Sequence, residues 1–252
     1  MQSKTPNKSI LKNCTHFILV TVFSVLGLFS FKSIEENFEK ISLNMQSKKV
    51  VNGKLIITNA DIFYNAEGKM VTHILAPFET IIINNTKGDL SIYNPSQNQV
   101  YKEYNFTQGT ETSSLYFFLK DKNNELGLRT LGFRLNTSKF ENGFLITTWF
   151  PPAQYMKLFS SVELVYQQGK PVFLKFINNK NFVIKRSYYY NYTKVLNYNF
   201  PLSITHIEYR EKGDSIIEKT VYSNIKVNNL SANSYFDYNI PANAKIVKND
   251  KK

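Results

Sequence analysis

From Lys48 to Val227 the chain is a succession of short apolar runs, each broken by turn residues, and that pattern constrains it to an antiparallel sheet. The runs read as Lys48 to Ala60, Asp61 to Asn65, Lys69 to Ala76, Thr80 to Asn84, Leu90 to Asn94 and Gln99 to Phe106. Further strands are expected at about 128–136, 143–150, 161–168, 171–177, 181–192, 202–211 and 214–227. Glu67-Gly68, Lys87-Gly88-Asp89, Pro95-Ser96, Gly143, Gly169, Asn178-Asn179 and Gly213-Asp214 supply the turns, and Tyr235 to Val247, with Pro241, reads as a closing loop. No linker, charge block or solenoid period divides the chain, so one domain is expected.

Two segments depart from strand periodicity. Ser33 and Glu36 form a capping box ahead of Ile34, Phe38, Ile41 and Met45, which predicts an amphipathic helix over 34–46. Leu115, Phe118 and Leu119 have helical spacing, with Thr112 placed to cap them, so a second helix is expected over 112–122. Some strands alternate, as at Leu55 and Ile57, whereas Ile81-Ile82-Ile83 is apolar on both faces. The fold class that follows is mainly β: a strongly curved antiparallel sheet forming an unclosed half-barrel. Its concave face is covered by the N-terminal helix and the short lid helix.

Ahead of the sheet, Lys4, Lys8 and Lys12 precede an apolar run from Phe17 to Phe31. That run is shorter than the roughly 20 residues of a bilayer span, so residues 1–33 read as a secretory signal, with an uncleaved inner-membrane anchor as the alternative. Residues 34–252 are then the mature domain. Cys14, the sole cysteine, precedes the run and would be lost with it, together with four lysines, which takes the net charge from +12 to +8. The remaining lysines are scattered, which fits a solvated basic surface. Export argues against nucleic acid as a partner.

Residues that could do chemistry are sparse. The mature chain keeps His73 and His206, each isolated in a predicted strand, and it has no metal-ligand spacing, nucleophile elbow, phosphate loop or dinucleotide fingerprint. Neither an enzyme nor a cofactor is called for, although His206 beside a carboxylate in a pocket would argue for catalysis. Glu35-Glu36 fits a solvated helix face. Ser187-Tyr188-Tyr189-Tyr190-Asn191-Tyr192 offers either an aromatic platform or an ordinary strand with Tyr on both faces. What remains is the curved sheet itself, whose concave face becomes an apolar cavity for acyl chains. Leu55, Ile57, Ile81, Ile83, Leu90 and Ile92 are the expected lining, and Leu115, Phe118 and Leu119 the expected lid.

The stretch Ala76-Pro77-Phe78-Glu79-Thr80-Ile81-Ile82-Ile83, followed by Lys87-Gly88-Asp89-Leu90-Ser91-Ile92-Tyr93-Asn94-Pro95 and Asn98-Gln99-Val100, resembles the LolA-type outer-membrane lipoprotein carriers. So does Tyr222 to Asn228 followed by Phe236 and Ile240-Pro241-Ala242-Asn243-Ala244-Lys245-Ile246-Val247. The resemblance implies an unclosed barrel with a helical lid, a periplasmic location and a monomer. It implies a chaperone that takes acylated lipoproteins from an inner-membrane lipoprotein-releasing transporter to an outer-membrane receptor. The Arg that locks the lid in such carriers would fall at Ala66. Related folds also serve as lipid- or lipoprotein-binding envelope sensors, which is the alternative function.

Overall fold

The computed structural model describes residues 38–104, 110, 113–119, 125–210 and 213–247, all within one compact unit, Asn37–Lys252. Fourteen strands make a single sheet. They are β1 (Lys40–Val51), β2 (Lys54–Asn65), β3 (Met70–Ala76), β4 (Thr80–Asn84), β5 (Asp89–Asn94), β6 (Gln99–Tyr104), β7 (Arg134–Glu141), β8 (Phe144–Phe150), β9 (Ser161–Gln167), β10 (Lys170–Ile177), β11 (Val183–Val195), β12 (Tyr198–Tyr209), β13 (Ser215–Val227) and β14 (Lys245–Val247). Their spatial order is β14-β6-β5-β4-β3-β2-β1-β13-β12-β11-β10-β9-β8-β7, antiparallel throughout except for β14 against β6. The edges, β7 and β14, do not meet, so the sheet is unclosed. One helix, α1 (Ser114–Leu119), is found among the described residues.

The expected helix over 34–46 is corrected from residue 40 onward, where β1 runs instead; residues 34–37 lie outside the described residues. Ile41 and Met45 are spaced i, i+4, which satisfies a period of 2 as well as one of 3.6, so they decide nothing. Leu43 decides it: on a helix it would point away from Ile41, whereas on a strand it joins it, and both are buried. Central pairing to β2 and β13 satisfies the β1 backbone on both sides and overrides the capping signal. The β1–β2 hairpin also divides the expected Lys48–Ala60 run. Asn52 (φ 50°) and Gly53 (φ 72°) make the two-residue turn that favours Asn-Gly. Likewise, the strand expected at 128–136 begins only at Arg134, because Leu128 to Gly132 form turns.

The larger core cluster shows how strongly the sheet curves. Ile41, Ile62, Tyr64, Trp149, Val162, Leu164, Leu174, Tyr189, Phe200 and Ile204 share it with Leu115 to Leu119 of α1. With the flanking β13 residues these span eight adjacent strands, about 34 Å if flat at ~4.8 Å per strand. A six-residue helix is only about 9 Å long. The strands can meet around it only by curling, so α1 occupies the inner face. Ser113 Oγ accepts from the Tyr116 amide at 3.1 Å and caps it; Thr112, the expected cap, lies outside the described residues.

A second cluster lies on the other face. Phe63, Val71, Ile81, Tyr93 and Val100 are covered there by Phe236, with Tyr235, Tyr238, Ile240 and Ala244 around it. The C-terminal segment therefore does more than close the sheet. Tyr235 stacks on Phe63 at 5.2 Å and on His73 at 4.7 Å.

Candidate functional site

Beside the β7 edge, the inner face leaves a cavity of about 530 Å³. Three neighbouring strands build it: Leu135 on β7 faces Trp149 on β8, Phe140 faces Leu145, and Leu145 faces Tyr166 on β9. Glu125 and the Gly143 and Gln168–Gly169 turns complete the lining. A volume of this size lies within the roughly 300–1,000 Å³ of ordinary ligand pockets.

The cavity floor presents few free polar groups. Trp149 is 1% exposed, and its Nε1 donates to Thr147 Oγ1 at 2.9 Å; that hydroxyl donates to the Leu164 carbonyl at 3.0 Å. Burial, and then the Glu125 carboxylate, push the Tyr166 phenol well above its ordinary pKa, so it stays neutral, bonded to Thr147. The polar atoms of Trp149, Thr147 and Tyr166 are thus engaged with protein, and the surface left over is hydrocarbon and ring. At the rim, Arg129 Nε donates to both Glu125 oxygens at 2.9 Å while its guanidinium lies 5.4 Å from the Trp149 ring centre.

The residues singled out in the sequence are dispersed. Leu55 and Ile57 are exposed, at 58% and 41%, near the tip of the β1–β2 hairpin. Ile81 and Ile83 belong to the outer cluster beneath the C-terminal segment. Leu90 and Ile92 sit on the opposite face of β5, in register with Asn84 and Ile82, and are half-buried. Leu115, Phe118 and Leu119 are together on the inner face, each less than 7% exposed. These nine residues line no common surface, since a period of 2 gives alternation but not which face is concave.

The cavity residues Leu135, Phe140, Leu145, Trp149 and Tyr166 were missed. A signal was present: the sole Trp lies in Phe144-Leu-Ile-Thr-Thr-Trp-Phe150, a run apolar on both faces beside a polar strand. Ala66, the position of the expected lid-locking Arg, lies in the β2–β3 turn, where its amide donates to the Glu39 carbonyl at 2.7 Å. Packing holds α1 instead: the Phe118 ring lies 5.5 Å from Tyr189 and 6.2 Å from Phe200. The Tyr188–Tyr192 run is split between faces, with Tyr189 buried inside and Tyr188 against Phe173.

His206 does meet a carboxylate. It pairs across strands with Glu218, which is bonded by Ser47 Oγ at 2.8 Å and Lys49 Nζ at 3.3 Å. On its other side, His206 Nδ1 and Ser187 Oγ share a hydrogen bond at 2.7 Å. Ser187 is 1% exposed, and the polar row Ser47, Glu218, His206 and Ser187 runs half-buried across β1, β13, β12 and β11. Burial, with help from Lys185, pushes the His206 pKa down to about 4, against the opposing pull of Glu218 and Glu208. The unfolded chain takes up this proton near pH 6.5 and the folded chain only near pH 4. Stability contributed here is therefore intact above pH 6.5 and falls between pH 6.5 and 4, by up to ~1.4 kcal/mol per pH unit. Denaturant titrations across that range should show the loss, and His206→Gln should flatten it. Among the described residues no three His, Cys, Asp or Glu side chains gather as a metal site.

No protein-family profile matches the chain, and no curated protein sequence matches it. Solved structures do. A LolA superfamily protein from Nitrosomonas europaea is 13% identical, covering 78% of this chain and 91% of its own, with a TM-score of 0.52. A DUF1329 family protein from Desulfovibrio piger is 12% identical over 80% and 91% of the two chains, with a TM-score of 0.54. A domain assigned as an outer membrane lipoprotein-sorting protein from Vibrio parahaemolyticus is 14% identical over 80% and 91%, also with a TM-score of 0.54. The chain has the LolA-like fold.

Proposed function

We propose that the protein is a periplasmic carrier that holds the acyl chains of lipoproteins or lipids in the inner-face cavity and delivers them toward the outer membrane. The observation that carries this reading is the cavity of about 530 Å³ whose walls are Leu135, Phe140, Leu145, Trp149 and Tyr166. Its floor hydroxyls and indole are already bonded to protein, so it offers a ligand apolar contact and little else. An acyl chain gains about 0.8 kcal/mol per buried CH₂ on such a surface, whereas a polar ligand would lose its water without replacement. The exposed rim at Phe140, 76% accessible, leaves a way in and out beside the β7 edge, which a carrier needs for loading and release. Export through residues 1–33, loading by an inner-membrane transporter and handover to an outer-membrane receptor belong to the same proposal.

Leu145→Glu tests it. Leu145 is 39% exposed, so the variant keeps its fold in the empty state, but a bound acyl chain would desolvate the carboxylate at a cost of several kcal/mol. Affinity for a fluorescent fatty acid should fall at least ~100-fold. Normal binding by this variant would place the site elsewhere. Adding acceptor membrane should strip the ligand from the wild type; retention would rule out delivery.

A further inference from the structure

Aliphatic side chains left in water collect at one end of the sheet. By register, the β1–β2 turn at Asn52–Gly53, the β3–β4 turn at 77–79 and the adjoining ends of β12 and β13 at Tyr209 and Ser215 all lie there, on neighbouring strands. Leu55, Val50 and Ile217 stand side by side across β2, β1 and β13, 58%, 36% and 42% exposed. Ile57 continues the patch two residues further along β2, and Phe78, 79% exposed, tops the next turn. Scattered apolar exposure is ordinary, but a contiguous patch marks an interface.

The charges beside the patch say what covers it. Ile57 pairs with Lys48, and Lys48 with Lys219, so two exposed lysines share the face with the aliphatics, and exposed Lys54 flanks the turn. None of the three has an acidic partner among the described residues. Nearby acids are engaged: Glu218 with Lys49 and Ser47, Asp214 with Arg210, and Glu79 with His73. A second copy docked through this patch would bring lysine against lysine, which disfavours self-association. An anionic bilayer suits both halves: aliphatics enter the acyl boundary while ammonium groups stay at phosphate level.

We propose that this end of the sheet docks on anionic phospholipid through Leu55, Ile57 and Phe78, with Lys48, Lys54 and Lys219 held at the headgroups. The surface is on the outer face and does not depend on the cavity reading. The test uses the full chain carrying Cys14→Ser and Leu55→Cys, labelled with an environment-sensitive fluorophore. A matching label at Asn197→Cys, in the exposed β11–β12 turn at the other end and away from the cavity, is the control. On vesicles of phosphatidylcholine mixed with phosphatidylglycerol, the probe at 55 should shift to the blue and become shielded from an aqueous quencher, while the probe at 197 stays in water. Lys48→Gln with Lys54→Gln should lower the ratio of shielded to unshielded probe roughly 30-fold, and high salt should do the same. Three results would overturn the proposal: a probe at 55 that stays in water, equal shielding on pure phosphatidylcholine, or shielding without vesicles that grows with protein concentration.

Discussion

Phe118→Ala should lower the free energy of unfolding by about 3–5 kcal/mol, the cost of truncating a buried aromatic. Phe118 is 6% exposed, and its ring meets Tyr189, Tyr192 and Phe200 at 5.5, 6.4 and 6.2 Å, so it ties α1 to two strands at once. Six residues cannot sustain a helix alone in water; α1 persists only through its packing. Its neighbours Leu115, Tyr116, Phe117 and Leu119 are each at most 8% exposed, so releasing the helix would expose five large side chains together. Equilibrium denaturation of the variant, paired with fatty-acid titration of the same sample, is the measurement. A lid that swings freely would give the reverse pattern, a changed release rate with stability intact. Hydrogen exchange across 113–119 separates the two in the wild type. Strong protection with and without ligand is expected for a helix that is part of the core, and the cavity beside β7 then works without its movement.

What the sequence made legible was most of the strands and their punctuation, because turn chemistry is local; β1, read as a helix, and β14, read as a closing loop, were the exceptions. Gly143, Gly169 and Gly213 mark turns both in the sequence and in the structure, each with positive φ. Faces were harder. Ile81-Ile82-Ile83 announces burial on both sides without saying by what. The cover proves to be Phe236 and its neighbours on the outer side, more than 150 residues downstream. That contact has no periodic signature, since the segment from Ser234 is a 3-10 turn followed by irregular chain and a three-residue strand. The cavity was illegible for a related reason. Leu135 and Phe140 lie on one face only because the β7 register shifts between Leu135 and Thr137, and no single-strand pattern reveals such a shift.

Gly127→Ala should cost about 2–5 kcal/mol and should weaken acyl binding from a distance. Gly127 has φ +76°, where an alanine is strained by roughly 1–2 kcal/mol. A Cβ there would also lie 2.0 Å from Cζ and 2.2 Å from Cε1 of Phe117, whose ring is 8% exposed and has nowhere to retreat, so overpacking adds about 1–3 kcal/mol. Gly53→Ala is the matched control: its φ of +72° imposes the same strain, but a Cβ there meets nothing within 4 Å. The difference between the two variants in denaturant midpoint therefore isolates the steric term. Function follows through the turn that contains Gly127. The Leu128 amide donates to the Glu125 carbonyl at 3.0 Å and the Leu131 amide to the Gly127 carbonyl at 2.9 Å, fixing Glu125 and Arg129 against each other and over Trp149. Pushing Phe117 outward displaces this turn, and with it the wall that Glu125 gives the cavity. Fatty-acid affinity should drop in Gly127→Ala and stay at the wild-type value in Gly53→Ala. Equal affinities in the two variants would separate the turn from the cavity and leave the Phe117 contact a matter of stability alone.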